Sequence, residues 1–438
     1  MAQQSANTQV PVDLLRPGLY VIELDRPWVE TPFLFQGFRI ADEQDLETLR
    51  KYCRSVVIDP ERCETGALEA LQRAVPPGGK RAHGRARSTA NLRMPSQRDR
   101  RKAAGALFRD RVHPDRDRFR VLVQAAWACR REARRAVDAA IGQVRMGRLV
   151  DTAGTREVVE GVVDVLLEDT SAALWLTNLK NRHEYTAIHS VNVCVLSLAL
   201  GVHLGLERAG LVRLGFGALL HDVGKMRTPA DILNKPDPLT DEEHEIVKRH
   251  AQDGYEIVSE SGEVAFDSLE IIRLHHERMG GQGYPVGLKG DRIPRHVRIA
   301  GLSDTYDAMT SDRVYRQGMA PDKALHGMYR DAPTTFGVDL VQEFIRCLGI
   351  FPVGSLVQLD NDAVGIVVGT RPGGGLWPTV LMLRAPGGEP YEKRLLVNLE
   401  AAARDEGARR HIRRAVEPAE VDADVPGLVA NEFGLVAA

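Results

Sequence analysis

Apolar residues in the middle of the chain return every three or four positions, first in FRVLVQAAWACRREARRAVDAAIGQVRMG from Phe119 and then in TREVVEGVVDVLLEDTSAALWLTNLK. That period marks one face of an α-helix, and it persists to about Gly349. The flanking regions read differently. GLYVIEL alternates, DEQDLETLRKYC has helical spacing and SVVID is a short strand, so residues 1–75 are expected to form a small α+β module. PVGSLVQLDNDAVGIVVG and WPTVLMLRAPGG return to period two between glycine-rich turns, the pattern of a short β unit over residues 352–401. The predicted fold is mainly α, with connecting helices over 119–180 and a helical main domain over 181–351.

Two stretches lack such patterning. Residues 76–118 include PPGGKRAHGRARSTANLRMPSQRDRR, which is basic, rich in Gly, Ser and Pro, and reads as a flexible linker. Residues 402–438 turn charged and then Val/Pro/Ala-rich, and are expected to be a tail ordered only in part.

Composition narrows the class. At 43 % hydrophobic and 27 % charged residues the chain has the profile of a soluble globular protein. A formal net charge of −2 gives no hint of nucleic-acid binding, and the basic linker lacks interleaved aromatics, so no nucleic-acid partner is expected. No apolar run is judged to approach the length needed to span a bilayer, and MAQQSANTQ does not read as a secretory signal, so a cytoplasmic protein is expected. Cys53, Cys63, Cys129, Cys194 and Cys347 lack paired spacing, which suits free thiols in a reducing compartment.

The chemistry concentrates between His189 and Asp304. In LGFGALLHDVGK an apolar helix ends in His221-Asp222, where a terminating backbone lets both side chains converge on one point. His189 lies at the start of a helix whose buried face carries Ile188, Val191, Val195 and Leu198. In PLTDEEHEIVKRHAQDG, Thr240 and Glu243 have capping-box spacing, which places His250 two turns into that helix. LEIIRLHHERMGGQGYP ends another apolar helix in His275-His276, and Asp304 and Asp307 sit at i,i+3 in RIAGLSDTYDAMTSDRVY. Cores avoid repeated His and unpaired Asp unless a cation or hydrogen bond satisfies them. Imidazole nitrogens and carboxylate oxygens together suit Fe, Mn or Zn.

These residues resemble the HD-GYP family of HD-domain phosphohydrolases across Tyr185 to Phe351. The resemblance rests on His221-Asp222-Val223-Gly224-Lys225, Ile232-Leu233-Asn234-Lys235-Pro236, Leu239-Thr240, His275-His276-Glu277-Arg278, Gly283-Tyr284-Pro285 and Ser303-Asp304-Thr305-Tyr306-Asp307-Ala308-Met309-Thr310. Leu15, Pro17-Gly18, Trp28, Pro32-Phe33 and Gly37-Phe38 look like the accessory domain often found ahead of it in bacterial proteins. The resemblance implies an HD-type helical bundle that hydrolyses cyclic di-GMP to pGpG, and in some members onward to GMP, in second-messenger signalling. It implies His189, His221, Asp222, His250, His275, His276 and Asp304 as ligands of two divalent ions, Fe or Mn, with Asp222 bridging and catalytic beside Lys225. It further implies Lys225, Tyr284, Pro285, Asp307, Arg313 and Arg316 as substrate contacts and a GYP loop that docks diguanylate cyclase domains; a homodimer is a separate expectation, with the oligomeric state left open. Two positions depart from the family pattern. Tyr185 stands where some members carry a Glu for a third metal, with Glu184 one step off, and Gly280 stands where an Asp commonly precedes the loop.

Two other readings compete. One is an HD hydrolase of another nucleotide, such as a nucleoside triphosphate or guanosine tetraphosphate, against which the His275-His276 pair and the GYP loop argue. The other is a catalytically weak cyclic di-GMP-binding or cyclase-docking module, which degenerate ligands would favour; the ligand set here is intact.

Overall fold

A computed structural model describes residues 8–25, 38–60, 62–74, 116–177, 185–233, 235, 237–311, 318–369, 378–391, 395–399, 410–416 and 418–421. The chain divides into two compact units, Met1–Ala106 and Leu107–Ala438. Trp28, Pro32-Phe33, Gly37, nearly all of the expected linker, Glu184, Asn234, Pro236, Arg313 and Arg316 lie outside the described residues.

In the first unit β1 (Thr8–Pro11), β2 (Tyr20–Leu24), β3 (Phe38–Arg39) and β4 (Ser55–Ile58) form an antiparallel sheet in the order β1-β4-β2-β3. Helix α1 (Glu43–Tyr52) follows the periodicity of DEQDLETLRKYC and buries Leu46 and Leu49. A second helix, α2 (Thr65–Ala74), was not expected from the pattern. This is the α+β module the alternating segments imply.

The second unit is mainly α, as its periodicity predicts. The long helix α3 (Arg116–Arg145) pairs with α4 (Thr152–Glu168), whose N-cap Asp151 accepts a hydrogen bond from the Gly154 N–H. Next come α5 (Thr170–Leu176), α6 (Tyr185–His203) and α7 (Arg208–Leu220). Helix α6 is apolar nearly all round because α3, α4, α5, α7 and later helices pack against it. By length and hydropathy Thr186–His203 could cross a bilayer, which corrects the sequence reading, but 83 % of it is buried within the fold. It is therefore the central core helix.

After α7 a 3-10 turn (Val223–Arg227) leads to α8 (Ala230–Leu233), α9 (Asp241–Lys248), α10 (His250–Glu260) and α11 (Phe266–Leu274). Phe216, Leu220, Val223, Val258 and Ile272 make a cluster beneath this region; full burial of such side chains contributes about 1.5–3 kcal/mol each. Helix α12 (Arg295–Thr310) packs on α6 and α11, and α13 (Pro321–Thr335) and α14 (Val338–Leu348) complete the helical part.

Strands β5 (Leu356–Leu359), β6 (Val364–Gly369), β7 (Thr379–Arg384) and β8 (Leu396–Asn398) form the expected β unit. A ninth strand, β9 (Ile412–Ala415), pairs antiparallel with β5 and gives the order β8-β7-β6-β5-β9. This corrects the boundary at 401: part of the expected tail is an edge strand, followed by the short α15 (Pro418–Val421).

Candidate metal centre

The fold brings the seven sequence-predicted ligands to one place, mostly from helix ends. His189 comes from the first turns of α6, and His221 caps the C-terminus of α7. Asp222 follows at φ −101°, ψ 3°, the bend that turns both side chains inward. The Thr240–Glu243 capping box is present, but α9 ends at Lys248. His250 is thus not two turns into that helix; it opens α10 across a break at Arg249. His275 caps α11, His276 follows, and Asp304 projects from α12. All except the partly buried His276 are withdrawn from solvent.

The donors fall into two groups that share Asp222. In the first, His189 Nε2 lies 3.1 Å from Asp304 Oδ1 and 3.8 Å from Asp222 Oδ2, and His221 Nε2 lies 3.3 Å from Asp222 Oδ2. In the second, His250 Nε2 lies 3.4 Å from His275 Nε2, 3.2 Å from His276 Nε2 and 3.5 Å from Asp222 Oδ1. The two oxygens of Asp222 therefore face different groups.

The surroundings decide what these atoms can be. His221, His250 and His275 each direct Nδ1 at a backbone carbonyl: Ala218 at 2.8 Å, Val247 at 2.6 Å and Ile272 at 3.0 Å. A carbonyl accepts only, so each Nδ1 carries the proton and each Nε2 offers a lone pair to the centre. Lone pairs from His250 and His275 at 3.4 Å repel unless something positive lies between them. His221 Nε2 and Asp222 Oδ1 are buried with no hydrogen-bond partner, a cost of about 1–3 kcal/mol each, more for a charge. Divalent cations bound by N and O donors would remove both penalties, so the residues fit metal.

The groups differ electrostatically. Burial opposes a charge on His189, but the hydrogen bonds its ring donates to Asp304 and Asp307 outweigh it and push the imidazole up to about 9. Burial pushes His276 down to about 3 and holds His275 well below its ordinary value; His250 is also lowered by burial. Burial would raise Asp222, yet the surrounding imidazoles and the Lys225 ammonium hold it well below the usual carboxylate range. Asp304 is held low in the same way, chiefly by His189.

Other predicted residues take varied places. Lys225, a quarter exposed, puts its ammonium on Asp222 Oδ2 at 2.5 Å. Tyr284 lies with its ring against His276, centroids 4.5 Å apart and 24° from parallel, while Pro285 is exposed. Asp307, expected as a substrate contact, is buried beside the centre: Oδ2 accepts from His189 Nδ1 at 2.7 Å and Oδ1 accepts from Asn192 Nδ2 at 2.9 Å. It orients the His189 ring from behind, as carboxylates commonly do for metal-binding histidines.

Sequence reading missed three contributors. Asn192, a polar residue one turn beyond His189 in an apolar helix, was the available signal for the Asp307 contact. Glu277 is buried, and its carboxylate accepts the N–H groups of Val286 and Leu288 at 2.8 Å and of Gly287 at 3.1 Å, tying down the GYP loop. Arg278 donates to the carbonyls of His275 and Glu277 and rests on the Phe336 ring. A Cβ on Gly283 would lie 2.4 Å from Glu277 Cα, so only glycine lets the loop approach this close. A separate group, Asp267, Glu270 and His296, is partly exposed and already paired internally and with Arg213.

Comparison with known proteins places the chain. A family model described as an HD domain matches residues 168–340, and one for a domain of unknown function (DUF3391) matches residues 7–155. A Pseudomonas aeruginosa protein named as a cyclic di-GMP phosphodiesterase is 34 % identical over 82 % of this chain and 81 % of its own length. The chain belongs to the HD-GYP family. A cyclic di-GMP phosphodiesterase response regulator of Xanthomonas campestris is 38 % identical to this HD-GYP protein over 33 % of the chain and 38 % of the regulator. A 3′3′-cGAMP-specific phosphodiesterase of Vibrio cholerae is 34 % identical over 38 % of the chain and 36 % of that protein. HD-domain phosphohydrolases are metal-dependent, and the His/Asp groups of this HD-GYP chain have the donors such chemistry needs.

Proposed function

We propose that this protein hydrolyses cyclic di-GMP to pGpG at a site holding two divalent ions, Fe or Mn, one in each donor group. The observation that carries the reading is the split of Asp222: Oδ2 faces His189 and His221 while Oδ1 faces His250. His189, His221 and Asp304 would hold one ion and His250, His275 and His276 the other, with Asp222 contributing to both. Bound there, such ions would supply Lewis acidity, activating water and stabilising charge on phosphoryl oxygens.

The chain's own groups do the rest. Lys225 is the cation at the open side of the centre, where a non-bridging phosphate oxygen can replace Asp222 as its partner. Tyr284 closes one wall, and the Glu277-bound loop holds that ring against His276. Asp307 and Asn192 hold His189 so that Nε2, not Nδ1, faces the centre. Similarity to the Pseudomonas protein over most of both chains supports cyclic di-GMP as substrate. Docking of a diguanylate cyclase domain on the loop rests on the resemblance alone.

The similarity to a 3′3′-cGAMP enzyme makes that dinucleotide the second substrate to test. The test is metal analysis of purified protein together with chromatography of products from cyclic di-GMP and 3′3′-cGAMP. About two ions per chain and release of pGpG are expected; faster turnover of 3′3′-cGAMP would reassign the substrate. Asp222→Ala should remove both ions and, by losing several kcal/mol of charge stabilisation, reduce turnover by about 10³-fold or more. Hydrolysis that survives in the metal-depleted variant overturns the scheme.

A further inference from the structure

Helix α11 stops on two of the ligands, and the carbonyls at a helix end have no helical N–H to accept from. His275 closes the helix at φ −60°, ψ −16°, with its own N–H still bonded to the Ile271 carbonyl. Arg278 folds back onto this end. One nitrogen, Nη1, donates to the His275 carbonyl at 3.0 Å and to the Glu277 carbonyl at 2.9 Å. The other, Nη2, reaches Thr305 Oγ1 on α12 at 3.4 Å, and the guanidinium lies over the Phe336 ring, 4.6 Å from its centroid. Among the described residues no carboxylate forms an ion pair with it. A partly buried cation is thus directed at peptide oxygens rather than at an acid, as basic side chains at helix C-termini can be. The same His275 oxygen is crowded by α12, since a Cβ on Gly301 would lie 2.4 Å from it.

We propose that Arg278 is a positioning residue for the half of the centre formed by His250, His275 and His276, capping the end of α11 and fixing the main chain that aims His275 and His276. The assignment rests on the two-metal reading. His276 depends on this most. Unlike His275, it has no carbonyl behind its ring among the described residues, so its direction comes from the main chain and from the Tyr284 ring against it. The sign of the effect separates a cap from a bare charge. A guanidinium acting only through its field opposes a cation in the cluster, so its removal would tighten metal binding. A cap, once removed, frees the His275–Glu277 segment and weakens binding. Groups that orient metal-binding histidines typically contribute 10- to 100-fold in affinity.

The experiment measures Mn²⁺ affinity of the full chain by chelator competition for Arg278→Met and Arg278→Lys, and for Arg278→Met combined with His276→Ala or with His189→Ala. Arg278→Met removes the donors and should weaken binding by roughly tenfold. Arg278→Lys, whose ammonium can donate to both carbonyls, should recover most of the loss. In His276→Ala, where that half is already broken, Arg278→Met should change the affinity of the remaining ion by less than about twofold. In His189→Ala the same substitution should show the full loss, roughly tenfold. A merely structural role would lower both alike. Tighter or unchanged binding in Arg278→Met, a Lys variant no better than Met, or equal losses in the two backgrounds each overturn the proposal. If Arg278→Met does not fold, Arg278→Gln, polar but too short to reach both carbonyls, replaces it with the same expected outcomes. Wild-type protein that takes up no Mn²⁺ would instead sink the metal reading, so the two failures are distinguishable.

Discussion

The two halves of the centre are built from the same kind of residue and behave oppositely. Around His189 the neighbours are carboxylates, Asp304 at the ring nitrogen that faces the centre and Asp307 behind the other, and they pull a proton onto the imidazole. Around His250 and His275 the backing groups are peptide carbonyls, and burial keeps the rings neutral. One half must exchange a proton for its metal; the other is already in the binding form. What stands behind a ligand therefore sets the cost of occupying it.

The sharpest way to break this comparison is to remove one ligand from each half. His189→Ala and His276→Ala should each leave about one ion by elemental analysis, with turnover lowered about 10³-fold in both. If either variant loses both ions, the halves are one cooperative site. A smaller effect concerns pH. With His189 at about 9 in the metal-free protein, an ion entering its half displaces a proton throughout the range from neutrality to pH 9. Apparent affinity of that half should rise with pH by up to about tenfold per unit and level off above 9. The other half, with pKa values lowered from 6.5, should be flat over the same range; calorimetric titration at several pH values reads both. The smallest effect is expected at Gly280. A Cβ there meets the flexible end of Gln282, and the loop is tied by Glu277, so Gly280→Asp should change KM and kcat less than about twofold. A large gain would show that the loop is slack without the Asp.

Much of this was legible before the fold was known, for physical reasons that differ by residue. His221-Asp222 and His275-His276 stood out because apolar helices end on them, and a core helix does not finish on unpartnered polar pairs without cause. The β unit was readable from its period, but β9 was not, since its IRRA is polar on an edge and carries no alternation. The pairing of Asp307 with His189 was not legible, because i,i+3 spacing puts it on the face of Asp304 without saying that α6 crosses there. The break at Arg249 was hidden by a sequence with good helical propensity on both sides.

Just past Asp222, a Cβ on Gly224 would lie 2.0 Å from the His250 carbonyl oxygen and 2.4 Å from the Gly254 nitrogen. Main chain rests on main chain here, with no side chain between them. The pitch between the bridging carboxylate and the all-imidazole half is thus gauged by two peptide backbones, the least compressible spacer a protein owns. Rotamers around it can adjust to ions of different radius, while the interval between the two seats stays constant.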